Sequence, residues 1–211
     1  MKTRLNHDFY VQCPACGMII SDPKLSLTEK NKPAPCCGAF GQSRCIWPSF
    51  TVQKFLEIVD KQDLNSNEER PIAIVFLCSA LELLLEQALW SLLDIHTKSE
   101  QLAQLILDSN RERDRRIKLY NKLSDCPLGD LLQSRNMATF LDEWDHLSEL
   151  RNEVVHGRYY TGGEQETELI RNVYRNCLKT FAEVHNDVQR MIRMHAIKAE
   201  EIAYEGKEGK F

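Results

Sequence analysis

Positive charge is in short supply in this chain. Lys and Arg together number 27 against 31 Asp and Glu, a net charge of −4 over 211 residues. That balance excludes a protein that coats nucleic acid by neutralising many phosphates, although it leaves room for a local basic patch. The first ten residues, MKTRLNHDFY, lack the apolar core of a secretory signal, so export is not expected. A Gly-rich phosphate loop, an H-E-x-x-H pair and a Ser-His-Asp order are all missing, which removes the enzyme classes that those motifs mark. The eight cysteines do not follow a secreted-scaffold spacing. Five crowd between Cys13 and Cys45, and Cys78, Cys126 and Cys177 are scattered through helical sequence. This is a metal-site distribution in a reducing compartment, and it predicts a cytoplasmic protein.

An uninterrupted membrane span is lacking too. The most apolar stretch, Pro71 to Ile95, is long enough to cross a bilayer, but Glu82 and Glu86 fall near its middle. Each carboxylate would cost roughly 2.5 to 3.5 kcal/mol at the bilayer centre. A buried core helix is therefore expected, and no membrane partner.

What is present divides near Pro48. Residues 1–48 are rich in Pro, Gly and Cys, whereas 49–205 read almost entirely as helix and 206–211 as a flexible tail. Val52, Phe55, Leu56 and Val59 share one buried face. The Pro71 to Ile95 run is apolar nearly all round, as a central bundle helix would be. KSEQLAQLILD and NRERDRRIKLYNKL follow, the second capped by Ser109 or Asn110, and DCPLGD reads as a breaker. Met137 to His156 carries Phe140, Trp144 and Leu147 on an apolar stripe, stopped by Gly157. A long amphipathic helix then runs from about Glu166 to Tyr204 through Leu169, Val173, Cys177, Phe181, Val184, Val188 and Ile192. The predicted fold is an all-α helical bundle with a small N-terminal Cys-rich module.

CPACG, Cys13 to Gly17, sets two thiols three residues apart around a tight turn, the arrangement in which both sulfurs wrap one zinc ion. A second turn, Ala34-Pro35-Cys36-Cys37-Gly38, repeats the pattern with alanine in place of its first cysteine. Cys13, Cys16 and Cys37 are thus expected ligands. The fourth is either Cys36, moved into the gap, or Cys45, returning on a hairpin through GAFGQSR. Four thiolates leave no open position, so one structural zinc per chain is expected and no catalysis by it. Over about residues 10 to 47 the segment resembles a zinc ribbon, which implies recognition of nucleic acid or protein.

The remaining chemistry centres on RNEVVHG, Arg151 to Gly157. The bare R-x-x-x-x-H pattern is weak, since chance supplies it on the order of 0.2 to 0.3 times in a chain of this length. Arg190 and His195 match it in mid-helix, where they read as plain helix surface. The first copy differs. Asn152 adds an amide beside the arginine, His156 falls at a helix C-terminus where the dipole favours an imidazolium, and Gly157 turns the backbone away. Positions five apart lie about 140° around a helix, so Arg151 and His156 are ill placed to share a ligand within one chain. Glu82 reads either as a partner of Arg151 or, with Glu86, as a solvated helix edge.

LSELRNEVVHG, together with the central helix FLCSALELLLEQALWSLL, resembles the HEPN superfamily of helical domains over about residues 50 to 205. The resemblance rests on its RNxxxH motif at Arg151, Asn152 and His156. It implies a metal-independent endoribonuclease working as a homodimer with the two motifs facing each other, or a relative that only binds RNA or nucleotides, with no catalytic metal. RNA and a regulatory protein are the partners it implies. Arg115, Arg116 and Lys118, in the basic run RERDRRIKLYNKL, are candidate contacts to the substrate backbone, or else a solvated helix face.

Overall fold

The computed structural model describes residues 9–22, 32–39, 45–158 and 162–208, with side chains through residue 198. Three short strands, β1 (Tyr10–Gln12), β2 (Ile19–Ser21) and β3 (Cys45–Trp47), form an antiparallel sheet of order β2-β1-β3. Seven helices follow among the described residues: α1 (Phe50–Lys61), α2 (Arg70–Thr97), α3 (Glu100–Ser109), α4 (Arg113–Leu123), α5 (Leu128–Ser134), α6 (Phe140–Val155) and α7 (Glu164–Glu208). A cis Trp47-Pro48 bond marks the passage from sheet to bundle.

The bundle is built around α2. Its buried residues run from Ala73 and Ile74 through Leu85 to Leu92 and Leu93 along one broad face, while Phe76, Leu83 and Trp90 on the far side are partly buried and Ile72 is 42% exposed. Helices α1, α3, α4, α6 and α7 all pack on it. It is also the one helix among the described residues long and apolar enough to cross a membrane. Here most of that apolar surface packs against other helices. Glu82 and Glu86 lie one turn apart on a polar edge, each partly exposed.

On α6 the predicted stripe is buried: Phe140, Trp144, Leu147 and Leu150 face inward. The rings of Phe140, Trp144 and Phe181 meet pairwise with centroids 5.7 to 6.5 Å apart, the separation at which tilted and edge-to-face pairs attract. Helix α7 buries Val173, Cys177, Phe181, Val184 and Val188 as the 3.6-residue period requires, with Leu169 and Ile192 half-buried at the margins.

Several boundaries differ from those expected. Ser109 and Asn110 close α3 instead of capping α4; Asn110 donates its backbone N–H to Leu107 O, and Glu112 precedes the first turn of α4. The DCPLGD breaker is followed at once by α5, whose first N–H, on Leu128, is satisfied by Asn121 Oδ1 at 2.8 Å. Leu128, Leu131 and Leu132 bury enough apolar surface to hold that short helix on the core. Phe55 is half-buried, edge-on to Phe76 at 5.3 Å. Helix α7 continues through residues 206–208, since nothing in AYEGKE stops it outright; 209–211 lie outside the described residues.

The Cys-rich segment does not stand apart from the bundle. Tyr10, Ile19 and Trp47 are buried in the same apolar core as the helices, and β2 packs on α7.

The stop after α6 is a full Schellman motif: Gly157 N–H reaches Val154 O at 3.2 Å and Arg158 N–H reaches Glu153 O at 3.0 Å. Gly157 has φ +66°, and a Cβ there would meet nothing within 4 Å. The effect of Gly157→Ala is therefore purely conformational. It should destabilise the fold by about 1 kcal/mol, the left-handed penalty of an L-residue, measurable as a lowered urea midpoint with unchanged slope.

Candidate functional site

Two groups of side chains carry chemistry, one in the Cys-rich module and one where α6 ends. In the module, the turns that begin at Cys13 and Ala34 share one backbone design. Gly17 N–H bonds Cys13 O at 2.7 Å and Gly38 N–H bonds Ala34 O at 2.6 Å, with φ +70° at Gly17 and +71° at Gly38. Ala34 is as buried as Cys13, so it fills the slot of the missing sulfur. Cys36 supplies that sulfur from two residues further on.

The ligand atoms of Cys13, Cys16, Cys36 and Cys37 all lie within 4.8 Å of one another, a group able to hold a metal ion. The separations are 3.3 Å for Cys16–Cys36, 3.8 Å for Cys13–Cys37 and 3.9 Å for Cys36–Cys37. A metal bonded to four sulfurs at about 2.3 Å sets them about 3.8 Å apart at the corners of a tetrahedron, so the cluster is close to closed around one ion. Burial works against a Cys16 thiolate, but the Met18 backbone and the neighbouring thiols outweigh it and bring the thiol down to about 7. Cys36 is driven strongly upward by burial and by Cys16 beside it. Four crowded sulfurs thus resist shedding all their protons unless a cation offsets the charge.

Cys45 lies outside this group. It pairs with Gln12 in the β1–β3 register and is exposed. Directly opposed residues share a face, so Cys45 lies on the face of Gln12, one step of the pleat from Cys13. The hairpin expected to return it includes 40–44, outside the described residues.

At the second group, Arg151 is half-exposed and Asn152 and His156 are exposed. Arg151 Nη1 donates to Asn152 Oδ1 at 3.1 Å, and its Nη2 lies 3.7 Å from Glu82 Oε1. Glu82 is thus the partner of Arg151 rather than an idle edge, but with side chains 36% and 30% exposed the pair is loose and screened by solvent. His156 is the C-cap residue, and no hydrogen bond or ion pair to its imidazole occurs among the described residues. Tyr159 and Tyr160 lie outside them.

Arg151 and Asn152 line an open cleft of about 540 Å³ between α2, α4 and α6, with Glu82, Arg113, Asp145 and Ser148 among its walls. His156 is not part of that lining. Arg113 is the residue that sequence reasoning undervalued by merging it with the basic run. Its Nη1 donates to Ser148 Oγ at 3.3 Å, Nη2 bonds Asp145 and Asp114, and the guanidinium lies 5.7 Å over the Trp144 ring. Burial disfavours its charge, but the hydrogen bonds to Asp114 and Asp145 outweigh that and raise its pKa. An Arg and an Asp 32 residues apart left no local signal for this tie.

The three basic candidates separate. Arg115 is exposed and meets only Glu112, and Lys118 is exposed. Arg116 is committed to the fold, with Nη2 on Glu86 Oε2 at 2.7 Å and Nε on Asn110 O at 3.1 Å. Arg190 is held by Asp187 on its own helix, and His195 lies edge-on to His96 at 6.1 Å, as a helix surface would have it. Cys78 and Cys177 are buried, and burial first, helped at Cys78 by the Glu82 charge, pushes both thiols up to about 12, which disfavours the reactive thiolate. No protein-family model, curated protein or solved structure matches the chain.

The cluster geometry separates the two cysteines that the sequence left as alternatives. Purified parent and Cys45→Ser protein should carry one metal ion per chain by elemental analysis, and Cys36→Ser should lose most of it. Equal retention by both variants would remove Cys36 from the ligand set.

Proposed function

We propose that the chain is an endoribonuclease of the HEPN type that cuts RNA without a catalytic metal, with Arg151 and His156 shared across the two-fold axis of a homodimer. The observation that supports this reading is the presentation of Arg151, Asn152 and His156 at the solvent-facing end of α6, where Val155 between them is 58% exposed. The 140° offset within one helix then sets the arginine of one copy against the histidine of the other.

Chemically, an imidazole takes the proton from a ribose 2′-OH, the 2′-oxygen attacks phosphorus, and the bond to the 5′-oxygen breaks as that oxygen accepts a proton. The products are a 2′,3′-cyclic phosphate and a 5′-OH. Arg151 holds the phosphate and the phosphorane charge. Asn152, already bonded to Arg151 Nη1, fixes the guanidinium. The looseness of the Glu82 contact lets a phosphate replace the carboxylate. Arg115, held by an exposed pair with Glu112 at the start of its own helix, and Lys118 can turn to the RNA backbone, whereas Arg116 is committed to the fold. The four-thiolate group holds zinc, closed and structural, in a module that recognises RNA or a regulatory protein partner, and unpaired thiols are in keeping with a cytoplasmic protein.

One observation favours a second reading, a non-catalytic adaptor with a helical dimerisation domain. Five carboxylates, Glu82, Glu112, Asp114, Asp145 and Glu149, line the cleft against three guanidiniums, a poor balance for a polyanion.

The test uses metal-loaded protein in buffer free of magnesium and manganese. Arg151→Ala and His156→Ala should each lower RNA cleavage by about 100-fold or more, with helix content and dimer mass retained and Arg190→Ala without effect. Mixing the two inactive variants with subunit exchange should restore about a quarter of parental activity, because half the dimers are mixed and each of those has one complete site of two. No recovery despite exchange would mean each chain carries its own pair. A parent inactive on varied RNAs, leaving no 2′,3′-cyclic ends, would favour the adaptor.

A further inference from the structure

We propose that α7 carries a receptor for the cysteine turn, so that metal occupancy of the four thiolates controls how the distal half of α7 is held on the bundle. The turn from Cys13 to Met18 is the loop of the β1–β2 hairpin, closed by Cys13 N–H on Met18 O at 2.9 Å. Ile19, the first residue of β2, follows immediately. Its N–H donates to Asn186 Oδ1 at 2.7 Å and its carbonyl accepts from Asn186 Nδ2 at 2.9 Å, both buried. One α7 side chain thus satisfies both backbone groups of the residue next to the metal turn.

Three more α7 side chains, Arg193, His185 and Gln189, surround that pair. Arg193 Nη2 donates to Cys16 O at 2.6 Å. Gln12 Nε2 meets His185 Nε2 at 3.4 Å and Gly17 O at 3.3 Å. Gly17 is seated so close on Gln189 that a Cβ would overlap its side-chain amide. Positions 185, 186, 189 and 193 follow the i, i+3/i+4 spacing of one helix face, so the receptor is a single stripe.

The turn has little else to hold it. Between Cys13 and Met18 and again between Lys32 and Ala39, Cys13 and Ala34 alone are buried among the described residues. Its shape therefore rests on local backbone bonds and on whatever gathers the sulfurs. Loss of the ion lets the turn open and shifts the Gln12–Ile19 register, and Asn186 then loses both partners at a site only 7% exposed. Buried polar groups without partners are expensive, so the α7 segment around Val184 and Val188 loosens with the turn. Coupling is reciprocal: α7 side chains that touch no sulfur must in turn set the metal affinity. This inference does not depend on whether the chain cuts RNA.

The experiment uses the full chain. Hydrogen exchange by mass spectrometry, with zinc bound and after its removal by chelator, should show protection falling about tenfold or more in α7 near 181–193 as well as in the module, with α1 unchanged. Affinity is read separately with cobalt(II), followed by its thiolate absorption in competition with a chelator. Asn186→Ala should weaken cobalt binding about tenfold and Arg193→Ala severalfold, in the range usual for coupled sites. Arg193 is exposed, so its variant tests the idea even if Asn186→Ala folds poorly. Exchange changes confined to residues before Pro48, or an Arg193→Ala affinity within about twofold of the parent's, would overturn the proposal.

Discussion

The fold depends on covering α2. A helix of 28 residues with apolar side chains on almost every face must bury most of them, and five helices pack on it. The arrangement of the rest follows from where that cover can be interrupted. Glu82 and Glu86, one turn apart, make one such line, and two helices bring guanidiniums to it: α6 brings Arg151 to Glu82 and α4 brings Arg116 to Glu86. The cleft opens where those three helices meet. The candidate site is thus located by the acidic edge of a largely apolar rod.

Much of this was legible in the sequence, and the misses share a cause. Periodicity identifies the faces of α1, α6 and α7, because burial repeats every 3.6 residues whatever the partner is. Gly157 announces the end of α6, since few other residues take a positive φ there. The pairing of the two five-residue cysteine turns is visible too, including the alanine that breaks it. What local pattern could not supply was contact between distant segments: Arg113 with Asp145, and Asn186 with Ile19. A partial signal existed for the last. His185 and Asn186 interrupt the buried side of α7 between Val184 and Val188, and a polar residue at such a position requires a partner.

Charge at the candidate site has a similar logic. The basic run on α4 appears in the sequence as one patch, yet its members do different things. Arg113 and Arg116 are absorbed by the fold through carboxylates and backbone, while Arg115 and Lys118 remain in solvent. A count of cations in a segment overstates the field it offers to a ligand whenever a neighbouring helix supplies carboxylates in register.

The three tryptophans of the chain are distributed so that each reports on a different region. Trp47 is on the seam between the sheet and α7, its ring 6.3 Å from that of His185, whereas Trp144 is sealed inside the bundle under Arg113. Trp90 is half-buried on α2, beside the start of α3. Indole emission follows local polarity and nearby quenchers. The molecule therefore contains intrinsic optical probes of the seam, the interior and the α2–α3 edge, and single-tryptophan variants would resolve them without any added dye.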